Sequence, residues 1–117
     1  MLTGSAVVMV VRDMTASLEY YRAALGFDVS FEWGTPVSYA CLCRDEVQLH
    51  LSADTARQPG QSALCIFVKD VDALHAELVA NGAQVVKPPQ DYAYGMRDFD
   101  VTDPDGNRII FGMASAA

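Results

Sequence analysis

Positive charge is scarce in this sequence. Its 117 residues include 8 lysines and arginines against 15 aspartates and glutamates, which gives a formal net charge of −7. Because nucleic-acid binding relies on lysine and arginine to neutralise phosphate groups, this imbalance argues against a nucleic-acid partner. A negative surface also attracts cationic ligands, although net charge of either sign keeps a protein soluble. The charge therefore leaves two interpretations open, a merely solvated surface and one that favours a cationic ligand.

Long hydrophobic runs are also missing. A membrane-spanning helix needs roughly 20 consecutive apolar residues, and no run approaches that length. The first residues have neither the charged region nor the apolar core of a signal peptide. We therefore expect no membrane partner and a cytoplasmic location. Since 51% of the residues are hydrophobic, the chain can build a core, and we expect one domain over residues 1–117.

Cysteine and histidine are few. The three cysteines Cys41, Cys43 and Cys65 lack the spacing of a zinc site, so we expect buried, reduced thiols. His50 falls in a predicted strand, and His75 falls on a predicted helix, where we expect it to face solvent. The sequence also has no phosphate-binding glycine loop and no context for a nucleophilic triad. These observations favour a protein without a bound cofactor.

One pattern occurs twice, about half a chain apart. Val10–Asp13 precedes one amphipathic segment, and Phe67–Asp70 precedes another. In each copy the pattern predicts a strand, then a helix that begins at a capping side chain (Asp13 or Thr15 in the first copy) and ends at a glycine, Gly26 or Gly82. Three further strands are predicted after the first helix, and a final hairpin is predicted after the second. The chain is therefore predicted to be an α+β protein of two tandem βαβββ repeats, over residues of about 5–52 and 63–113.

The later strands are bounded by turn residues. Lys87–Gln90 contains two consecutive prolines, which cannot donate hydrogen bonds to a sheet, so we predict a loop there. The turn Asp105–Asn107 is predicted to connect a final hairpin. Phe67 and Phe99 are predicted to be core residues. The other predicted strands cover residues 5–11, 27–33, 37–43, 47–51 and 63–68, and the hairpin strands cover 99–102 and 108–111.

Several segments resemble the vicinal oxygen chelate superfamily, which includes glyoxalases, extradiol dioxygenases, fosfomycin resistance enzymes and bleomycin resistance proteins. The most specific is Gly95–Asn107, followed by Leu18–Arg22 and Leu25–Phe27. The resemblance spans residues 6–112, and Arg44–Ser52 is most similar to the bleomycin resistance branch. It implies that the two repeats form a cupped mixed sheet. It also implies a homodimer in which elements of both chains build two ligand-binding clefts.

Enzymes of the superfamily hold a divalent metal with histidine or glutamate side chains from the first and last strands of each half. The resemblance places three of these positions on Ala6, Ala63 and Ile110, whose side chains cannot bind a metal. The fourth position falls on the strand that carries Gln48 and His50, which share one face because strand side chains alternate. Since a catalytic zinc site normally uses three protein ligands, we expect no metal site here. His50 is instead expected to line a core or a pocket.

Aromatic side chains outside the helices are the remaining candidates for a binding site. Such residues offer stacking surfaces in a cleft, although aromatic residues on strands also pack in cores. Arg97 lies close in sequence to Asp98 and Asp100, which predicts a structural ion pair or a contact with the ligand. The acidic residues Asp28, Glu32, Asp91, Asp98 and Asp100 are candidates to complement a cation. The predicted ligand-binding residues are Phe31, Trp33, Tyr39, Gln48, His50, Tyr92, Tyr94 and Arg97.

The resemblance, with the metal positions lost, implies a metal-independent binding protein. It would confer antibiotic resistance by sequestering a bleomycin-like ligand, cationic and aromatic, in an aromatic-walled and acidic cleft. Two alternatives stay open. One is a glyoxalase- or dioxygenase-type enzyme with a shifted ligand set drawn from His50, Glu32, Glu46 and Asp100, and the other is a binder of a different natural product.

Overall fold

The computed structural model describes residues 1–115, which fold as two consecutive βαβββ units. The α+β class and the duplicated unit predicted from the sequence are confirmed. The first unit contains β1 (Val7–Val10), α1 (Met14–Ala23), β2 (Asp28–Trp33), β3 (Tyr39–Arg44) and β4 (Val47–Ser52). The second contains β5 (Ala63–Phe67), α2 (Val71–Ala80), β6 (Gln84–Asp91), β7 (Met96–Thr102) and β8 (Arg108–Ala114).

Each unit forms its own four-stranded mixed sheet. The strand orders are β1-β4-β3-β2 and β5-β8-β7-β6. In each sheet the first strand of the unit pairs in parallel with the last, and the remaining neighbours are antiparallel. Each helix therefore connects one edge strand of its sheet to the opposite edge strand.

The helix ends follow the predicted local signals. The Asp13 carboxylate accepts a hydrogen bond from Ala16 N at 3.1 Å, and Asp70 accepts one from Ala73 N at 3.0 Å. Asp13, rather than Thr15, is thus the cap of α1. The chain leaves the helices through Gly26 and Gly82, whose φ angles of 76° and 88° lie in the left-handed region that glycine adopts without strain. Within residues 1–115, neither helix is long and apolar enough to cross a membrane.

The core combines residues of both repeats in one hydrophobic cluster. Met9, Leu49 and Leu51 come from the first sheet, and Phe99 and Ile109 come from the second; all five are fully buried. A buried hydrogen bond also joins the repeats, because the Tyr21 hydroxyl of α1 donates to Asp103 Oδ2 at 2.9 Å. One face of each sheet is therefore covered, and the alternate side chains of each strand point to an opposite, open face.

Two predictions about the second sheet are wrong. Lys87–Gln90 belongs to β6 rather than to a loop. Its prolines are tolerated because β6 is an edge strand and its pairing with β7 shifts register between Lys87 and Gln90. Phe67 is not a core residue, since it lies on the open face with 77% of its surface exposed, whereas Phe99 is fully buried as predicted.

Two further expectations about burial are also wrong. His75 is half-buried rather than solvent-facing, and its ring packs edge-on against Phe99 with 5.2 Å between centroids. Cys41 and Cys43 are only half-buried, and Cys65 is exposed. The cysteines lie outside the core because side chains alternate along a strand. Their neighbours in sequence point toward the helices, so the cysteines point to the open faces.

Candidate ligand-binding faces

The open face of the first sheet carries five of the predicted ligand-binding residues. Trp33 lies opposite Tyr39, and Cys41 lies between Phe31 and His50 in the strand register. A register shift after Val29 brings the two β2 aromatics to this face, because residues directly opposite each other on paired strands point to the same side. We call this surface the first open face; it consists of Phe31, Trp33, Tyr39, Cys41, Cys43, Gln48 and His50.

Two aromatic side chains on this face are unusually exposed. Phe31 is 53% exposed and Trp33 is 67% exposed, so neither is a core residue. A cavity of about 330 Å³ beside them is lined by Phe31, Trp33, Ser38, Tyr39, Ser52 and Asp54. Because large exposed apolar side chains beside a concave surface are typical of ligand-binding and interaction sites, this cavity is the best candidate for stacking a planar ligand.

Tyr39 and His50 form a polar pair at the centre of the first open face. The Tyr39 hydroxyl lies 2.7 Å from His50 Nδ1, and the rings meet edge to face with 5.4 Å between centroids. Burial, followed by the neighbouring Cys41, raises the pKa of Tyr39, so its hydroxyl stays protonated at neutral pH. The contact fixes the imidazole orientation and leaves Nε2 as the ring nitrogen that can meet a ligand.

The open face of the second sheet carries charged residues instead. Alternation along β7 sends Phe99 and Val101 to the core and leaves Asp98 and Asp100 on the open side, opposite Gly112 and Ile110 of β8. We call this surface the second open face; it consists of Cys65, Phe67, Lys87, Asp98, Asp100, Arg108 and Ile110.

The charges of the second open face are paired with one another. Lys87 Nζ lies 2.9 Å from Asp98 Oδ1 and 3.7 Å from Asp100 Oδ1. Arg108 Nε donates to Asp100 Oδ2 at 2.7 Å, and the Tyr94 hydroxyl donates to Asp98 Oδ2 at 2.6 Å. Burial alone would raise the pKa of Asp98, but the hydrogen bonds from Tyr94 and Lys87 outweigh it and lower the pKa. Asp98 is therefore a carboxylate at neutral pH, held by its neighbours.

The two tyrosines of the β6–β7 loop belong to the same network. The rings of Tyr92 and Tyr94 are parallel, with 5.3 Å between centroids, and Lys87 Nζ lies 4.1 Å from the centroid of Tyr92. The hydrogen bond to Asp98 raises the pKa of Tyr94 to about 12. The structure thus assigns Tyr92 and Tyr94 to the second sheet, separate from the aromatic residues of the first open face.

Arg97 does not join the other predicted ligand-binding residues. It points toward α2, where its guanidinium binds both carboxylate oxygens of Asp72 at 2.8 and 3.1 Å and approaches Asp91 at 3.4 Å. Arg97 thus forms a structural ion pair, as predicted, but its partners are Asp72 and Asp91 and not Asp98 or Asp100. Their actual partners, Lys87 and Arg108, were missed because only the strand register places them opposite these aspartates.

A metal does not fit the donors that the fold brings together. Within residues 1–115 no three or more histidine, cysteine, aspartate or glutamate side chains converge on one point. The alternative ligand set is dispersed: His50 lies on the first open face, and Asp100 lies on the second sheet, where Arg108 binds it. Glu32 pairs with Ala40 in the register and so lies on the other side of the first sheet from His50.

The comparison with known families decides the relationship. The model of the glyoxalase/bleomycin resistance protein/dioxygenase superfamily matches residues 5–111. The chain belongs to this superfamily. It is 32% identical over 106 residues to an uncharacterised protein of Mycolicibacterium smegmatis, covering 90% of this chain and 88% of the relative.

Two solved structures of the superfamily share the fold over nearly their whole length. One is the bleomycin-binding protein of bleomycin-producing Streptomyces verticillus, solved with copper(II)-bleomycin; it is 26% identical with a TM-score of 0.75, and the match covers 98% of this chain and 99% of that one. The other is a glyoxalase/bleomycin resistance protein of Catenulispora acidiphila, which is 27% identical with a TM-score of 0.76, over 95% of this chain and 97% of that one.

Proposed function

We propose that this protein binds a small aromatic, cationic ligand of the bleomycin type on its first open face and confers resistance by sequestering it unchanged. The observation that carries the proposal is the exposure of Phe31 and Trp33 beside a cavity on a sheet face that has no converging metal donors among residues 1–115. The similarity to a structure that contains copper(II)-bleomycin supports the ligand class.

The charge of the protein supports a cationic ligand. The chain carries a net charge of −7, and Asp54 lines the cavity beside Trp33. A carboxylate beside an aromatic surface stabilises a ligand that combines a planar ring with a positive group, because stacking and ion pairing act on different parts of it. Capture is proposed to take place in the cytoplasm, where the free thiols of Cys41, Cys43 and Cys65 stay reduced.

We also propose that the working form is a homodimer. The cavity beside Trp33 is lined by the first repeat and by Asp54 just after it, and by no residue of the second repeat, which gives a ligand only one wall. A second chain would supply the opposite wall, and isologous pairing would build two equivalent clefts. Light scattering at micromolar concentration is expected to give twice the mass of one chain. A monomer mass at all concentrations would remove this part of the proposal.

Calorimetric titration with metal-free bleomycin and with copper(II)-bleomycin tests the function. We expect saturable binding, followed by recovery of chemically unchanged ligand when the complex is dissociated and analysed by mass spectrometry. A panel of other aromatic, cationic natural products separates a bleomycin-type ligand from another compound of the same chemistry. Turnover of any of these ligands, or loss of metal-free bleomycin binding when divalent metal is chelated, would instead support the metal-dependent enzyme.

A further inference from the structure

A carboxylate from the chain itself binds where β1 meets α1. The two oxygens of Asp105 accept hydrogen bonds from Arg12 N at 3.3 and 3.2 Å, and Arg12 Nη1 lies 3.1 Å from Oδ1. Asp105 comes from the turn between β7 and β8, in the other repeat. The strand–helix junction of the first repeat is therefore a carboxylate-binding site whose ligand is supplied internally.

The second repeat builds the same junction. Lys69 precedes the helix cap Asp70 as Arg12 precedes Asp13. The backbone follows the same course, because Val68 N donates to Gly112 O at 2.9 Å just as Val11 N donates to Ser52 O at 3.0 Å. Across residues 1–115, however, no carboxylate is bound by the Lys69 N–H or ammonium group.

The difference arises from the length of one turn. Residues 103–107 connect β7 and β8 and bring Asp105 onto the first junction, whereas only Asp45 and Glu46 connect β3 and β4. At the second junction a cavity of about 590 Å³ opens instead, with Leu25, Phe27, Ile66, Leu74 and Phe111 among its apolar lining and Lys69 beside them. A volume of this size lies within the range of small-molecule sites, roughly 300–1,000 Å³.

We propose that this cavity binds an amphipathic monocarboxylate. The apolar body of the ligand fills the space between the residues named above, and its carboxylate accepts hydrogen bonds from the Lys69 N–H and ammonium groups, as Asp105 accepts them from Arg12. Charge-assisted hydrogen bonds of this kind are stronger than neutral ones, and burial of the apolar body adds to them.

Two of the three acidic residues in the lining, Asp70 and Asp45, already have partners within the protein; the third is Glu46. Asp70 already accepts the hydrogen bond from Ala73 N that caps α2, and its counterpart Asp13 does not prevent Asp105 from binding Arg12. Asp45 has an internal partner as well, since Arg44 Nε lies 3.9 Å from its carboxylate. The site lies apart from the first open face, so this proposal and the proposed function can each fail without the other.

The test is a nuclear magnetic resonance titration of the intact ¹⁵N-labelled protein with octanoate, with octanol as the uncharged probe of equal length. We expect the Lys69 amide resonance to shift saturably with octanoate and octanol to bind about tenfold more weakly. Lys69→Met keeps the length of the side chain but removes its charge, and it should weaken octanoate binding roughly tenfold. Arg12→Met is the matched control at the junction whose carboxylate is internal, and it should leave octanoate binding unchanged.

A second pair of variants separates this cavity from other surfaces. Leu74→Trp should fill the cavity and abolish the binding of both probes, whereas Trp33→Ala should change neither. The proposal is overturned if octanol binds as tightly as octanoate, if Lys69→Met binds octanoate like the unsubstituted protein, or if the resonances that shift lie away from Lys69 and Leu74. The same spectra report whether each variant is folded.

Discussion

The two open faces have the same architecture and each exposes aromatic surface, which on the second face belongs to Phe67, but only the second face carries paired charges. On the second open face Lys87 and Arg108 pair with the buried carboxylates of Asp98 and Asp100, so opposite charges lie together within the sheet. On the first open face Phe31 and Trp33 expose apolar surface to solvent. Burial of that surface requires a ligand or another chain, whereas the internal ion pairs of the second face already contribute to the folded state.

The comparison shows where a duplicated unit is free to change. Positions that face the helices stay apolar in both repeats, as with Leu49 and Ile109 on the last strands, because both sides build one core. Positions on the open faces carry no such constraint, so the position equivalent to His50 in the second repeat can hold a side chain of different chemistry. Substitutions on the second face should therefore change stability, and substitutions on the first face should change affinity.

Lys87→Met should show the largest change in stability. The substitution keeps the aliphatic stem but removes the ammonium group from Asp98, whose side chain is only 7% exposed. Leaving a buried polar group without its partner costs about 1–3 kcal/mol, so the free energy of unfolding in urea should fall by about that amount. Arg22→Met removes an exposed charge on α1 and should change stability by less than about 0.5 kcal/mol. Equal effects of the two variants would contradict the contrast between the faces.

Trp33→Ala should show the largest change in affinity. Because Trp33 is 67% exposed, its removal should cost little stability, in contrast to the roughly 3–5 kcal/mol expected for a core tryptophan. Loss of a stacking anchor should weaken bleomycin binding about tenfold or more, which is measurable by calorimetry and by the fluorescence change of this single tryptophan in the unsubstituted protein. A well-folded variant with unchanged affinity would exclude Trp33 from the site.

Tyr39→Phe should have a smaller effect on the same affinity. The substitution removes the hydroxyl that lies 2.7 Å from His50 Nδ1, but it keeps the ring in the cavity wall. A neutral hydrogen bond contributes about 0.5–1.5 kcal/mol, so we expect a loss of roughly twofold to tenfold if His50 must be oriented to meet the ligand. If binding is unchanged, the Tyr39–His50 pair serves the sheet rather than the ligand.

Local signals made most of the fold predictable. Asp13, Asp70, Gly26 and Gly82 act on the residues next to them, so their roles could be inferred from the sequence. The exposed position of Trp33 could be inferred in the same way, because it adjoins the turn that begins at Gly34.

The errors occurred where a contact depends on pairing between distant segments. Lys87 contacts Asp98 and Asp100 only because β6, an edge strand that contains the prolines, pairs with β7 in an irregular register. Arg97 meets Asp72 only because α2 packs on that side of the second sheet. Neither contact has a sequence signature. For Arg97, nearness along the chain favoured the wrong partners.

The smallest expected effect is a change in the pKa of Asp98, and so in stability at acid pH, when the Tyr94 hydroxyl is removed. Asp98 has a lowered pKa in the folded protein, so its ion pair stabilises the fold fully above the unfolded value of about 3.9 and loses this contribution as pH falls through the lower folded value. Stability attributable to Asp98 should thus be constant from neutral pH down to about pH 5 and decrease below about pH 4. Tyr94→Phe removes the 2.6 Å hydrogen bond to Asp98 and should raise the pKa of that carboxyl toward the unfolded value, which makes the loss of stability in acid smaller. Carboxyl ¹³C resonances followed through an acid titration measure the pKa directly.

Tyr92→Phe is the matched control, because the Tyr92 hydroxyl bonds Gln90 rather than Asp98. An unchanged Asp98 pKa in Tyr94→Phe would show that Lys87 alone holds the carboxylate in its charged form.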